Sequence, residues 1–234
     1  MVSQAVLALV ALLAGPPPVP AGGPMPGVGW EAGLPAVSVD GKLVAVAVSV
    51  SDGARAAPNL ALVVYDVARD RETERVVVID ANGSDGASRR GPEARAADAL
   101  AKHTWRRMRP LDVGAADAKG RATVAQGEGV RVTYREPLLT VRERASGGRE
   151  LFRRAMSSFS KPAGPRCRGC GDCPAPLAGL SGAHLDRASG VLLLEVSYSG
   201  GTDVCWEPDE TFHVVRLGRM EPLPASAYRS KSPL

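Results

Sequence analysis

The stretch LVAVAVSV at residues 43–50 decides the fold of this chain. Successive residues of a β-strand point to opposite faces, so this stretch has mostly apolar side chains on both of its faces. A strand of this kind is typical of a sheet that is covered on both sides. One face of the predicted strand consists of Val44, Val46, Val48 and Val50, and the other of Leu43, Ala45, Ala47 and Ser49.

Strand-like segments continue along most of the sequence and are separated by short turns. In GVRVTYRE, residues 129–136, alternation predicts that Val130, Val132 and Tyr134 point inward. Short connections favour antiparallel pairing, because parallel strands need a crossover of about a dozen residues. The sequence therefore predicts a mainly β protein of the α+β class, with antiparallel meanders in sandwich-like sheets. The other predicted strand segments are NLALVVYDV, ERVVVIDA, LLTVRER, ELFRRAM, GVLLLEVSYS and TFHVVRL.

One segment has the spacing of a helix instead. Pro92 suits a first helical position, and Pro110 sets a limit at the other end, which predicts one main amphipathic helix over about 92–108. Its expected apolar stripe consists of Ala97, Leu100, Ala101, Trp105 and Met108.

The first 21 residues have the layout of a secretory signal peptide. An apolar run at 5–14 is followed by prolines and then by small residues, with a predicted cut after Ala21. The run is too short to span a bilayer, which takes about 20 residues. We therefore expect a secreted or periplasmic protein with no integral membrane segment once the signal is removed. Residues 22–30 are a predicted flexible leader, 31–220 a single mostly-β domain, and 221–234 an irregular tail.

Charge and composition argue against nucleic acid as a partner. The net charge is +4, aromatic residues make up 4%, and the arginines are spread along the chain. Nucleic-acid binders concentrate positive charge on one face and interleave it with aromatic residues. The densest basic patches, at 105–109 and 152–154, are interpreted as solvated faces.

A short part of the chain resembles a known repeat. The residues are Ser38, Asp40, Gly41 and Lys42 at a predicted turn, and the pair Tyr65-Asp66 at the end of a later strand. They are similar to the WD40-like repeats of TolB-type β-propellers, in which a Ser-x-Asp-Gly-Lys turn leads into a strand. The resemblance covers about 30 residues and implies blade-like β-meanders.

The four cysteines fall in the last third of the chain. Cys167, Cys170 and Cys173 form a cluster, and Cys205 lies apart. The cluster lacks the fourth cysteine of a bacterial ferredoxin run. A zinc site completed by Cys205 or by His184 fits the ligand types that zinc accepts. Export favours two disulfides, with no bound metal or cofactor, and every pairing then joins one cluster cysteine to Cys205.

The sequence contains no familiar catalytic motif, such as HExxH, a Gly-x-Ser-x-Gly elbow or a phosphate-binding glycine loop. No catalytic residue is assigned, and the favoured interpretation is a non-enzymatic protein. The alternative is an extracytoplasmic hydrolase that uses His184 with Asp186 or with nearby carboxylates. The acidic residues around Cys205 would also suit calcium, although an exposed acidic loop is the simpler interpretation.

The favoured function is binding to an unknown protein or envelope component, outside the cytoplasm. Loops that are held by a rigid scaffold commonly carry recognition. The predicted surface therefore consists of the loops 161–186 and 199–210. Its candidate residues are His184, Asp203, Trp206 and Asp209.

Overall fold

A computed structural model gives the structure of the chain and describes residues 29–49, 60–79, 90–114, 122–144, 148–159, 177–199 and 210–220. Within these ranges the protein is mainly β with one α-helix and three antiparallel sheets, which confirms the predicted fold class. No helix in the described ranges has the length and apolar character needed to cross a membrane. The predicted signal peptide, the tail 221–234 and all four cysteines lie outside the described residues.

Sheet I contains the strand predicted from LVAVAVSV. It has the order β4-β3-β2-β1-β5, and all of its pairs are antiparallel. The helix α1 (Arg90–Ala101) packs against one of its faces. The strands are β1 (Ala36–Ser38), β2 (Leu43–Val48), β3 (Leu60–Asp66), β4 (Arg71–Ile79) and β5 (Trp105–Arg107).

Sheets II and III are also antiparallel. Sheet II has the order β11-β10-β9-β8-β7, and sheet III has the order β14-β13-β12-β6. The strands are β6 (Arg109–Pro110), β7 (Asp112–Gly114), β8 (Thr123–Gly127), β9 (Val130–Arg135), β10 (Leu138–Glu143), β11 (Glu150–Ala155), β12 (Leu177–Asp186), β13 (Val191–Ser199) and β14 (Thr211–Arg216).

The elements stack in four layers: α1, sheet I, sheet III and sheet II. Strand β2 sends Val44 and Val46 toward sheet III and Ala45 toward α1, as its two apolar faces predict. Strand β13 lies between sheets I and II, with Leu193 facing sheet I and Leu192 facing sheet II. Both strands are therefore buried on both faces because a layer covers each side.

The helix is shorter than predicted. It ends at Ala101, so its expected continuation to 108 is wrong, and Trp105–Arg107 form a strand instead. The Trp105 indole N–H donates to the Leu100 carbonyl at 2.7 Å, which satisfies a carbonyl at the helix end. The backbone beyond this point pairs with sheet edges, and those hydrogen bonds outweigh the helical spacing of Trp105 and Met108.

The segment 105–114 contacts all three sheets in turn. Its three strands add an edge to sheet I through β5, to sheet III through β6 and to sheet II through β7. It also supplies apolar side chains to all three cores: Trp105 to the helix layer, Met108 between sheets I and III, and Leu111 with Val113 between sheets III and II. We call residues 105–114 the connecting segment.

The turn that carries the propeller resemblance is held by its own polar side chains. Ser38 Oγ donates to Asp40 Oδ1 at 2.6 Å and accepts from the Leu43 amide at 2.9 Å, while Gly41 takes a φ of 70°. The hydrogen bond from Ser38 is the main reason that the Asp40 pKa falls to about 2. The resemblance of this stretch to a WD40-like repeat stays a prediction.

Met108 should be essential to the stability of the layers. Its side chain is 1% exposed in the core between sheets I and III. We expect Met108→Ala to lower the free energy of unfolding by about 2–4 kcal/mol, because a large buried side chain leaves a cavity. The exposed neighbour Arg109 offers the control, since Arg109→Ala should cost under about 0.5 kcal/mol. Urea unfolding measures both, and equal effects would contradict the assignment.

Candidate functional site at the loop end of sheet III

The two predicted recognition loops, 161–186 and 199–210, join sheet III at the same end. Leu177 opens β12 and pairs with Ser199, the last residue of β13. The next connection starts after Ser199 and returns at Glu210 and Thr211, where β14 begins. We call this end, marked by Leu177, Ser199 and Thr211, the loop end of sheet III.

Part of the predicted loop 161–186 is a strand. Residues 177–186 form β12, so the prediction of a loop there is wrong. Leu180, Ala183 and Leu185 are buried in the core that faces sheet II, and their burial outweighs the glycines of the segment. A register shift between Leu180 and Gly182 accommodates the strand.

A chain of four polar side chains starts at the loop end on the face toward sheet II. The Tyr198 hydroxyl lies 2.9 Å from Thr211 Oγ1, and Thr211 Oγ1 lies 3.4 Å from His213 Nε2. His213 Nδ1 lies 2.9 Å from Asp70 Oδ2, and Asp70 comes from the β3–β4 turn of sheet I. We call Tyr198, Thr211, His213 and Asp70 the polar chain.

The directions of these hydrogen bonds follow from Asp70. Its Oδ1 accepts from the Val214 amide at 2.6 Å, and its Oδ2 accepts from Nδ1–H of His213. In the neutral ring, Nε2 of His213 is then left to accept from the Thr211 hydroxyl, which in turn accepts from Tyr198. The carboxylate thereby joins sheet I to the outer edge of β14, and it fixes the strand to which the 200–209 connection returns.

Aromatic rings cover the polar chain from the side of sheet II. The Phe159 ring centroid lies 4.4 Å from that of His213 and 5.1 Å from that of Tyr134. Among the described residues, the buried Tyr134 hydroxyl has no hydrogen-bond partner. Burial raises the pKa of Tyr134 to about 12, so this hydroxyl keeps its proton at neutral pH.

A carboxyl pair occupies the opposite face of the same hairpin. Glu195 on β13 hydrogen-bonds to Glu210, which directly precedes β14. Its carboxyl lies over Gly182 on β12, where any added side chain would collide with it. Burial first, and then the hydrogen bond and the charge of Glu210, raise the pKa of Glu195 to about 7. Below that pH the pair holds a proton between two carboxyl groups.

His184 is a strand residue and is half-buried. Burial, and then the charge of Arg107, lower the pKa of His184, and its Nδ1 has no hydrogen-bond partner among the described residues. Asp186 Oδ2 instead accepts from Arg106 at 2.7 Å and from the Ser189 amide at 2.9 Å. No hydrogen bond joins Asp186 to Nδ1 of His184, so this geometry gives no support to a hydrolase that pairs these two residues. The carboxylates at 203–209, which the hydrolase interpretation also allows, lie outside the described residues.

The remaining predicted site residues cannot be placed. Asp203, Trp206, Asp209 and the cysteines lie outside the described residues. In the part of the chain that the structure describes, no three His, Cys, Asp or Glu side chains are grouped so that they could hold a metal ion.

Sequence reasoning missed the polar chain and the carboxyl pair. The alternation in TFHVVRL places Thr211 and His213 on one face, which is a usable signal. Glu195 interrupts the apolar run VLLLEVSYS, and a lone acid in such a run is a second signal. Asp70 gives no signal, because it reaches His213 from a turn 143 residues away.

The chain matches no protein-family model, no curated protein and no solved structure at a significant level.

Asp70 should hold sheet I to the edge of sheet III. We expect Asp70→Ala to lower the free energy of unfolding by about 2–3 kcal/mol, because it leaves the Val214 amide and His213 Nδ1 unpaired. Urea unfolding gives the loss, and hydrogen exchange should show faster exchange at the Val214 amide. Asp98→Ala removes an exposed carboxylate of α1 and is the control. Unchanged exchange at Val214 would contradict the assignment.

Glu195 should make stability depend on pH. Its raised pKa means that the native state binds the proton more tightly than the unfolded chain, in which a glutamate has a pKa of about 4.3. That contribution is complete at low pH and is lost as the pH rises through about 7. Because Glu195 is only half-buried and solvent screens it, we expect a loss of about 1 kcal/mol.

Glu195→Gln keeps a neutral side chain at every pH and removes this loss. Relative to the unmodified protein, the variant should therefore gain about 1 kcal/mol of stability between pH 5 and pH 8. Urea unfolding at both pH values measures the difference. Glu31→Gln, at an exposed glutamate, should show no such change. A pH-independent difference for Glu195→Gln would refute the proton-holding pair.

Proposed function

We propose that this protein is exported and acts without catalysis, by binding a protein or another component of the cell envelope. Binding occurs through the segments 161–176 and 200–209 at the loop end of sheet III, with Asp203, Trp206 and Asp209 as contact residues. Disulfides among Cys167, Cys170, Cys173 and Cys205 hold the two segments together. Export itself is supported by the signal-like sequence of residues 1–21.

The register of β12 and β13 is the observation that carries the proposal. Leu177 and Ser199 are paired residues on neighbouring strands, which lie about 4.8 Å apart. Cys173 is four residues before Leu177, and Cys205 is six residues after Ser199. At about 3.5 Å per extended residue, these lengths reach about 14 and 21 Å. A disulfide needs Cα atoms about 5–6 Å apart, so chain length permits the link.

The scaffold beneath the two segments also supports the proposal. The polar chain fixes the start of β14 against sheet I, and the Glu195–Glu210 pair fixes the same hairpin on its other face. A disulfide across this end adds a covalent link and contributes about 3–4 kcal/mol for a loop of roughly 30 residues. Segments whose two ends are anchored to fixed strands lose less conformational entropy on binding than unanchored segments do, which favours recognition.

The disulfide part is tested by intact mass of the natively exported protein, with and without reduction. We expect the mass that follows cleavage after Ala21, and a gain of four hydrogen atoms on reduction, two for each disulfide. Cys205→Ser should leave one thiol that iodoacetamide alkylates without prior reduction. Retained zinc with four free thiols, or an uncleaved N-terminus, would overturn this part.

The binding part is tested by photo-crosslinking in the producing cells. A photoreactive amino acid at Trp206 should give a discrete adduct, whereas the same group at Ala188 should not. Ala188 is exposed in the turn at the opposite end of the β12–β13 hairpin, which makes it a matched control. Asp203→Ala with Asp209→Ala should reduce the adduct at position 206 by at least about fivefold. No adduct at 206, or equal adducts at both positions, would refute binding at this end.

A further inference from the structure

Sheet II is the outermost layer of the stack, and its far face points away from sheet III. The inward positions of β9 and β10 are buried, whereas Arg131, Arg135 and Arg142 between them are exposed. Tyr134 and Phe152, the aromatic residues of these strands and of β11, pack into or against the core. The outer face therefore carries arginine and small polar residues, with the apolar Val124 and Leu138 half-buried among them.

Four arginines surround two threonines on this face. Thr133 on β9 pairs directly with Thr140 on β10, and both are half-buried. Arg131 and Arg142 form the next cross-strand pair on one side, and Arg153 lies across from Thr140 on β11. Arg135 completes the ring two residues beyond Thr133. We call these six residues the arginine ring.

The Thr133–Thr140 pair lies at the centre of the arginine ring. Gln126 continues the row of Arg131 and Arg142 on β8. The acidic side chains of the face, Glu150 and Asp112, lie at the two margins of that row.

The pairing of Arg131 with Arg142 is unfavourable without a ligand. Like charges directly opposite each other on neighbouring strands destabilise a sheet. Glu150 relieves Arg142 only in part, with a separation of 3.7 Å between exposed groups. Arg131 and Arg153 have no ion-pair partner among the described residues. A bound anion would neutralise this concentration of charge.

We propose that the arginine ring binds the oxyanion groups of an anionic polysaccharide. Guanidinium groups donate paired hydrogen bonds to sulfate, phosphate or carboxylate oxygens. The Thr133 and Thr140 hydroxyls donate to the same oxygens or to sugar hydroxyls. A linear polymer that runs parallel to β9 and β10 crosses the arginine ring between Glu150 and Asp112 and contacts neither of them.

The face fits other anionic partners less well. Single-stranded nucleic acid is held by aromatic platforms, and the aromatic side chains of sheet II face the core. An anionic membrane would be repelled by Glu150 and Asp112, and interfacial binding also needs inserted apolar side chains. The apolar outward residues Val124 and Leu138 are half-buried between their neighbours.

Heparin, which carries sulfate and carboxylate groups, is the probe for this site. Calorimetric titration of the mature protein should show binding that weakens as salt rises. The double variant Arg131→Gln/Arg142→Gln should bind heparin about tenfold less tightly, since it removes two charge-assisted contacts. Thr133→Val/Thr140→Val should weaken binding about threefold through the lost hydroxyls.

A matched control separates this site from general attraction to a basic protein. Arg71→Gln/Arg95→Gln removes the same charge at exposed positions of β4 and α1, and should change heparin affinity less than twofold. Equal losses in the two arginine double variants, or no heparin binding at all, would overturn the proposal. Tighter binding to duplex DNA or to vesicles of anionic phospholipid, at equal charge concentration, would overturn the choice of polysaccharide.

Stability measurements guard against a folding artefact. Arg131→Gln removes a like-charge pair, so its free energy of unfolding should equal or exceed that of the unmodified protein. Saturating heparin should raise the Tm of the unmodified protein and leave that of the double variant nearly unchanged. A Tm rise of the same size in both proteins would count against the arginine ring.

Discussion

The connecting segment is the constraint on which the other parts of this structure depend. Its ten residues form an edge strand of each sheet in succession and place at least one apolar side chain in each core. The sheets are therefore not independent blocks that happen to touch. Their separations and relative order follow from one short run of backbone, because the Cα atoms of an extended chain advance by a fixed distance.

Sheet III is the middle of the three sheets, and this position determines which side chains it can contain. Sheet III is covered on both faces, which favours polar groups that find a partner there. At the β12–β13 turn, Arg187 donates at 2.9 Å to Glu143 of sheet II, which is 1% exposed and also accepts from Arg149 at 2.7 Å. At its loop end, the polar chain and the carboxyl pair serve the same purpose. The two ends differ in what extends from them, because the segments 161–176 and 200–209 join sheet III at the loop end.

Much of the layer structure could be predicted from the sequence, because strand alternation reports burial directly. LVAVAVSV and VLLLEVSYS are apolar on both faces and lie in doubly covered sheets, while GVRVTYRE alternates and lies in an outer one. The predicted helix was too long because Trp105 and Met108 keep helical spacing, although their backbone is held by sheet edges that are distant in sequence. Spacing along one segment carries no information about such distant partners.

The features of the candidate site were harder to predict from the sequence, because they also depend on partners that are distant along the chain. His184 drew attention as a histidine near cysteines, yet it belongs to a strand in which Asp186 is already engaged by Arg106 and Ser189. Asp70 and His213 are adjacent only through the contact between sheets I and III. The arginine ring depends on register, since Arg131 and Arg142 stand opposite each other only in the pairing that β9 and β10 adopt.

The pairing of Pro110 with His184 also has a consequence for the order in which the protein acquires its structure. During synthesis, sheet I is complete once residue 107 has emerged, but the apolar face that it turns toward sheet III stays bare until β12–β14 follow. A chain with such late, long-range closure folds slowly and is prone to association while it is incomplete. Carriage across a membrane in an unfolded form, with folding only after the last strand arrives, would spare this protein that exposure.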